Sequence, residues 1–164
     1  MPLKGIKREI YLQSKFGSKD NANLIYKKIA DEGKLANIYF QFSKINIIPN
    51  SFLSHKLLAY AHRKQKQNEV LESLFYQYFI EGNNIGNLKT LIQIAKQSKI
   101  YDSNIENYLK SNQNTESLLN EEEQARKIGV TGVPCFIFNK QFVVNGAQKK
   151  DNFIQIINSI NKNE

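Results

Sequence analysis

Cysteine occurs once in these 164 residues, methionine once, proline three times and tryptophan not at all. The single thiol, Cys135, can form no disulfide within the chain, no Cys-x-x-Cys redox pair and no multi-cysteine zinc site. Long apolar runs are missing too: nothing approaches the roughly eighteen residues a membrane span requires, and the mean hydropathy is -0.49. The opening Met1-Pro2-Leu3-Lys4-Gly5-Ile6-Lys7-Arg8 has no apolar core, so no secretory leader is read there and a cytoplasmic location is expected. No glycine-rich phosphate loop is present.

What remains suits a soluble globular protein. Apolar residues make up 41% and aromatics 11%, enough for a core, and the length fits one domain with an inserted subdomain. The net charge of +8 would ordinarily suggest nucleic acid. However, Lys, Asn and Ile occur 20 times each against three Arg, and all three abundant residues have A/T-rich codons, so genome composition accounts for the basicity. The densest basic cluster, Arg63, Lys64 and Lys66, sits in no recognition motif, and no nucleic-acid or membrane partner is expected.

From Lys7 to about Lys127 the apolar spacing is helical. Ile10 and Leu12 begin a first helix that Gly17 ends. Asp20 or Asn21 is expected to cap a second, with Leu24, Ile25 and Ile29 on one face and Gly33 as its left-handed terminator. Ile38, Phe40 and Phe42 alternate, which suits a short strand. Pro49-Asn50-Ser51 restarts a helix carrying Leu53, Leu57, Leu58 and Ala61, since Asn or Ser can accept its first amide protons. Further helices carry Val70 to Phe79, Leu88 to Ala95, Ile105 to Leu109, and Leu118 to Arg126 before Gly129, with Gly82-Asn83-Asn84 as a break.

After Gly129 the period changes. Cys135 to Phe138 and Phe142 to Val144 are β-prone runs joined by a tight turn at 139–141, and Phe153, Ile156, Ile157 and Ile160 give a closing amphipathic helix with a frayed end. Four consecutive apolar residues at Cys135 to Phe138 imply a strand covered on both faces and flanked by further strands. Either Ile38 to Phe42 supplies that neighbour or it lies outside this polypeptide.

Other chemistry is sparse. His55 and His62 share a helix face but have no ligand partners, so no metal site is expected. Glu121, Glu122 and Glu123 splay around a helix as a solvated face. The apolar neighbours of Cys135 favour packing over reactivity, although a lone thiol can form a mixed disulfide.

The run Gly129-Val130-Thr131-Gly132-Val133-Pro134, followed by strand, turn, strand and Gly146-Ala147-Gln148, resembles the C-terminal part of the DsbA-like thioredoxin family. The similarity is nearest to its FrnE-type branch of dithiol-disulfide isomerases, related to hydroxychromene carboxylate isomerases. Lys7 to Leu12 with Lys15-Phe16-Gly17, Pro49-Asn50-Ser51 with His55, Tyr78 to Gly82 with Ile85-Gly86, and Glu121 to Ala125 extend it along almost the whole chain.

The resemblance implies an α/β, mostly helical class: a helical insertion domain over 1–128 and the C-terminal β-β-α half of a thioredoxin-like fold over 129–164. It implies a cis proline at Val133-Pro134, with Thr131, Val133, Pro134, Asn50, Ser51 and His55 facing a thiol or disulfide substrate, protein or small molecule. Gly146, Ala147 and Gln148 would open the last helix, where free amides favour a glutathione carboxylate. The family's N-terminal strand, Cys-x-x-Cys helix and next strand have no counterpart here. The expectation is therefore a shortened form lacking the catalytic dithiol, or a redox-inactive binding module, or a glutathione-dependent isomerase or transferase. An open strand edge would also permit a homodimer.

Overall fold

The computed structural model describes residues 2–161. Its elements run β1 (Ile6–Lys7), α1 (Arg8–Phe16), α2 (Lys19–Leu35), a 3-10 turn (Phe42–Lys44), β2 (Ile47–Ile48), α3 (Phe52–Arg63), α4 (Gln67–Phe79), α5 (Leu88–Gln97), α6 (Ile105–Lys110), α7 (Thr115–Lys127), β3 (Cys135–Phe138), β4 (Phe142–Asn145) and α8 (Lys150–Asn161). Two compact units divide the chain, Met1–Glu116 and Ser117–Glu164. That division falls near the start of α7, ahead of the 128/129 boundary implied by the family's domain layout. No residue of α7 is buried.

The first unit is held by apolar side chains of α3 to α6. Leu57, Ala61, Val70, Leu91, Ile94, Ala95 and Ile105 have no exposed surface. Together with Leu74, Tyr108 and Leu109 they recur at spacings of three and four within their helices, so each helix turns one stripe inward. At the N-terminus β1 pairs antiparallel with β2, Ile6 opposite Ile48.

Several local expectations are corrected. Ile38 to Gln41 form no strand and Phe42 enters a 3-10 turn, so this stretch is not the missing sheet neighbour. Its rings pack instead on other rings: Phe40 stacks on Phe42 at 5.0 Å and meets Phe79 edge-on at 5.4 Å. The cap of α2 is Ser18, whose hydroxyl accepts from the Asn21 amide (3.1 Å), and not Asp20 or Asn21. Leu24, Ile25 and Ile29 are exposed, whereas Ala22 on the same helix is fully buried. Gly33 is an interior helical residue. A Cβ there would stand 2.6 Å from the Phe40 ring, so the glycine is needed for close approach and not for a left-handed turn, which Asn37 supplies with φ 61°.

Polar groups tie α3 to the chain around α6. Lys56 is enclosed, and its Nζ donates to the carbonyls of Leu109 and Ser111 and lies 5.2 Å from the Tyr108 ring centroid. Those carbonyls are left over at the end of α6, where a cation is favoured. Burial pushes the lysine's pKa down. One turn further along α3, the Tyr60 hydroxyl donates to the Asp102 carboxylate at 2.6 and 2.7 Å, and Lys64 pairs with the same group at 2.6 Å. Burial, then the hydrogen bond to Asp102, lifts the Tyr60 pKa to about 12; hydrogen bonds from Lys64 and Tyr60 hold Asp102 near 2.

These shifts fix the pH dependence. As pH rises from 10 through about 12, the folded Tyr60 keeps a proton that the unfolded phenol has lost, so stability falls. As pH drops from 3.8 towards about 2, the unfolded Asp102 takes a proton that the folded one refuses, and stability falls again. Tyr60→Phe should cost about 1 kcal/mol at neutral pH and flatten the alkaline decline. Urea unfolding followed by circular dichroism across pH measures both, and parallel pH profiles for the two proteins would refute the assignment.

Candidate functional site

The second unit carries the Thr131 to Pro134 segment at the head of a hairpin. β3 and β4 pair antiparallel with Cys135 opposite Asn145 and Phe138 opposite Phe142. Asn139 and Lys140 both take positive φ (49° and 58°), the conformation that primed hairpin turns require. Phe136 meets Phe153 of α8 at 4.6 Å and Phe138 lies 6.3 Å from it. Side chains alternate along a strand, so Cys135 and Ile137 point to the other face.

That face is not covered as the sequence suggests. Ile137 is 42% exposed and Cys135 is half-buried. The sheet has two strands, and among the described residues nothing pairs with the outer edge of β3. At its head Val133 is 91% exposed, and neither its N–H nor its C=O has a partner among the described residues. The Val133–Pro134 peptide bond is cis, and Thr131 and Pro134 are exposed beside it. The arrangement offers a free donor and acceptor at the start of an open strand, which suits pairing with an extended segment.

A residue that sequence reasoning placed elsewhere holds this head in position. The Gly146 amide donates to the Pro134 carbonyl at 2.8 Å, with φ 83° at Gly146. Gly146, Ala147 and Gln148 precede α8, which begins at Lys150, so they do not open that helix as expected. The Gly146 amide is already engaged and is not a spare donor for a carboxylate. Gln148 bonds locally, donating to the Asn145 carbonyl (3.4 Å) and accepting from Asn152 (3.2 Å).

Asn50, Ser51 and His55 belong to the first unit, around the N-terminus of α3. Asn50 Oδ1 accepts from the Phe52 amide (3.0 Å), whereas the Ser51 side chain makes no cap bond. The His55 amide donates to the Ser51 carbonyl (3.0 Å), and Ser54 Oγ, on the same turn, donates to the Ile85 carbonyl (2.7 Å). The His55 and His62 side chains are exposed, and no group of three metal-ligating side chains occurs among the described residues. The basic cluster makes local bonds: Lys64 pairs with Asp102 and Lys66 with Glu69, while Arg63 donates to the uncharged Asn114 side chain and keeps its charge. Glu122 and Glu123 pair with Arg126 and Lys127 one turn on, as a solvated face. No described helix is long and apolar enough to cross a membrane.

The family model for a DSBA-like thioredoxin domain matches residues 1–158. The chain belongs to that family. Among solved structures, a probable DsbA oxidoreductase from Streptomyces coelicolor aligns with a TM-score of 0.84 at 18% identity, over 94% of this chain and 67% of that one. At this identity the likeness speaks for the fold. No curated protein sequence matches the chain. As a DsbA-like chain, it is notable for what stands beside Pro134: Cys135 is its one cysteine.

The Gly146 contact yields a prediction. A Cβ at Gly146 meets no atom within 4 Å, so substitution there is penalised by backbone conformation alone. Gly146→Ala should destabilise the hairpin by about 1–2 kcal/mol, and Gly146→Asn by clearly less, because Asn tolerates the left-handed region. Urea unfolding read from hairpin NMR resonances tests this. Equal stability of all three proteins would contradict it.

Proposed function

We propose that this chain is the substrate-facing part of a thiol-disulfide oxidoreductase or isomerase of the FrnE-type branch, acting with a dithiol that is not among these 164 residues. The observation that carries this reading is the head of β3. There the unpartnered backbone of Val133 adjoins an unpaired strand edge in a chain whose family handles disulfides. Exchange proceeds when a thiolate attacks one sulfur of a disulfide: a new S–S bond forms, the old one breaks, and its other sulfur leaves as a thiolate. A second thiolate then resolves the mixed disulfide. In this scheme the chain supplies neither thiolate. The Val133 N–H and C=O hold an extended substrate segment, and Thr131 and Pro134 bound its path. Cys135, half-buried beside them, serves packing.

A second reading keeps the same edge and drops the redox step, with a partner chain or a second copy adding a strand to β3. The exposed Ile137 and Val143 on the hairpin favour it, because apolar side chains beside an open edge invite pairing. A glutathione-dependent activity has less support, since the Gly146 amide is engaged by Pro134.

Two measurements test the first reading. The chain alone should reduce insulin no faster than the background reaction. Protein drawn from its native cell should show an intact mass above 19.0 kDa, or bring with it a polypeptide containing Cys-x-x-Cys. A native mass of 19.0 kDa with no dithiol companion would defeat the proposal. Self-association on sedimentation would then favour the second reading.

A further inference from the structure

The first unit contains a groove that the thiol reading does not use. It lies between residues 37–41 and α4, has a volume of about 690 Å³, and is walled by Ile38, Tyr39, Phe40, Phe75, Tyr76 and Phe79. Tyr39 is 60% exposed, Tyr76 53% and Phe75 49%, so large apolar side chains stand open to solvent side by side. An exposed apolar concavity of this kind marks a place where something binds.

Its shape is built in. The Gln41 amide donates to the Phe79 carbonyl at 2.8 Å, the Ile38 amide donates to the Gly33 carbonyl at 2.8 Å, and the Phe40 ring rests edge-on against Phe79. Both ends of the 38–41 segment are therefore fixed to helices while its outer side chains remain uncovered.

The charges around the groove decide between occupants. In a chain of net charge +8, no Lys or Arg lines it. Its one charged lining residue is Glu72, and the Glu81 carboxylate lies close enough to the Tyr76 hydroxyl to push its pKa up. Glu72 has no Lys or Arg partner among the described residues and is free to meet a cation. An anionic lipid surface or a nucleic acid would meet carboxylates here and no compensating cation.

We propose that this groove docks a segment of another protein that carries bulky apolar side chains beside a lysine or arginine. The apolar side chains enter between the Phe75 and Tyr39 walls, the Tyr39 hydroxyl serves the segment's backbone, and the cation pairs with Glu72. This site does not rest on the sulfur chemistry proposed above.

The probe is a pair of short fluorescent peptides with the same Leu and Phe residues, flanked by Lys in one and by Glu in the other, titrated with the full chain and read by anisotropy. The Lys peptide should bind about tenfold more tightly. Glu72→Lys should abolish or reverse that preference. Phe75→Ala, at an exposed position that spares the core, should weaken binding of the Lys peptide by about tenfold. Circular dichroism confirms that both variants stay folded. Equal affinity for the two peptides, or unchanged binding by the Phe75→Ala protein, would overturn the proposal. So would a concentration-dependent dimer that disappears in the Phe75→Ala protein, since the groove would then belong to a second copy.

Discussion

A β-strand has two hydrogen-bonding edges, and β3 uses one. β4 satisfies its inner edge, and the Gly146 bond to Pro134 extends that ladder to the strand head. Antiparallel pairs alternate between bonded and non-bonded, so with Pro134 and Gly146 bonded, Phe136 and Phe138 direct their amides to β4 while Cys135 and Ile137 direct theirs outward. Two strands alone are a marginal sheet. The free backbone of Val133 belongs to this one-sided pairing, and the exposed cross-strand pair Ile137 and Val143 leaves one face of the hairpin uncovered as well.

The helical unit is built on a different balance. Its core is closed by α3 to α6, and its buried polar groups are mostly answered: Lys56 by two helix-end carbonyls, Tyr60 by Asp102. Among the described residues, only the buried Tyr108 hydroxyl goes without a partner. What this unit leaves open is an apolar groove and the exposed Leu24, Ile25 and Ile29 of α2, besides the outer edges of the two-residue strands β1 and β2. Its larger unmet demands are for hydrophobic contact, whereas the four-residue β3 also demands hydrogen bonds.

Legibility in the sequence followed the physics of each feature. Helices with strong periodicity and a clear stop, such as α3 to α5, could be read directly, because burial imposes spacing on the residues that bury. The hairpin and its turn were legible because β-prone runs and a polar break are local signals. The expected fraying at the C-terminus lies outside the described residues. Gly33 was misread because a glycine that ends a helix and one that admits a ring look alike until the chain's return at Phe40 is known. Ile38 to Phe42 alternates like a strand, yet its rings alternate between the Phe79 contact and solvent. The Val133-Pro134 element was visible as a motif. The Gly146 bond and the groove were not, since each joins stretches of chain that no local pattern connects.

The central claim is that the outer edge of β3 is a pairing surface completed by other polypeptide. Amide hydrogen exchange resolved by residue tests it most directly. In the 164-residue chain alone, Phe136 and Phe138 should be protected while Cys135 and Ile137 exchange almost as fast as an unstructured peptide; in protein isolated from its native cell, all four should be protected. Strong protection of Cys135 and Ile137 in the lone chain, or none in the native protein, would contradict the account.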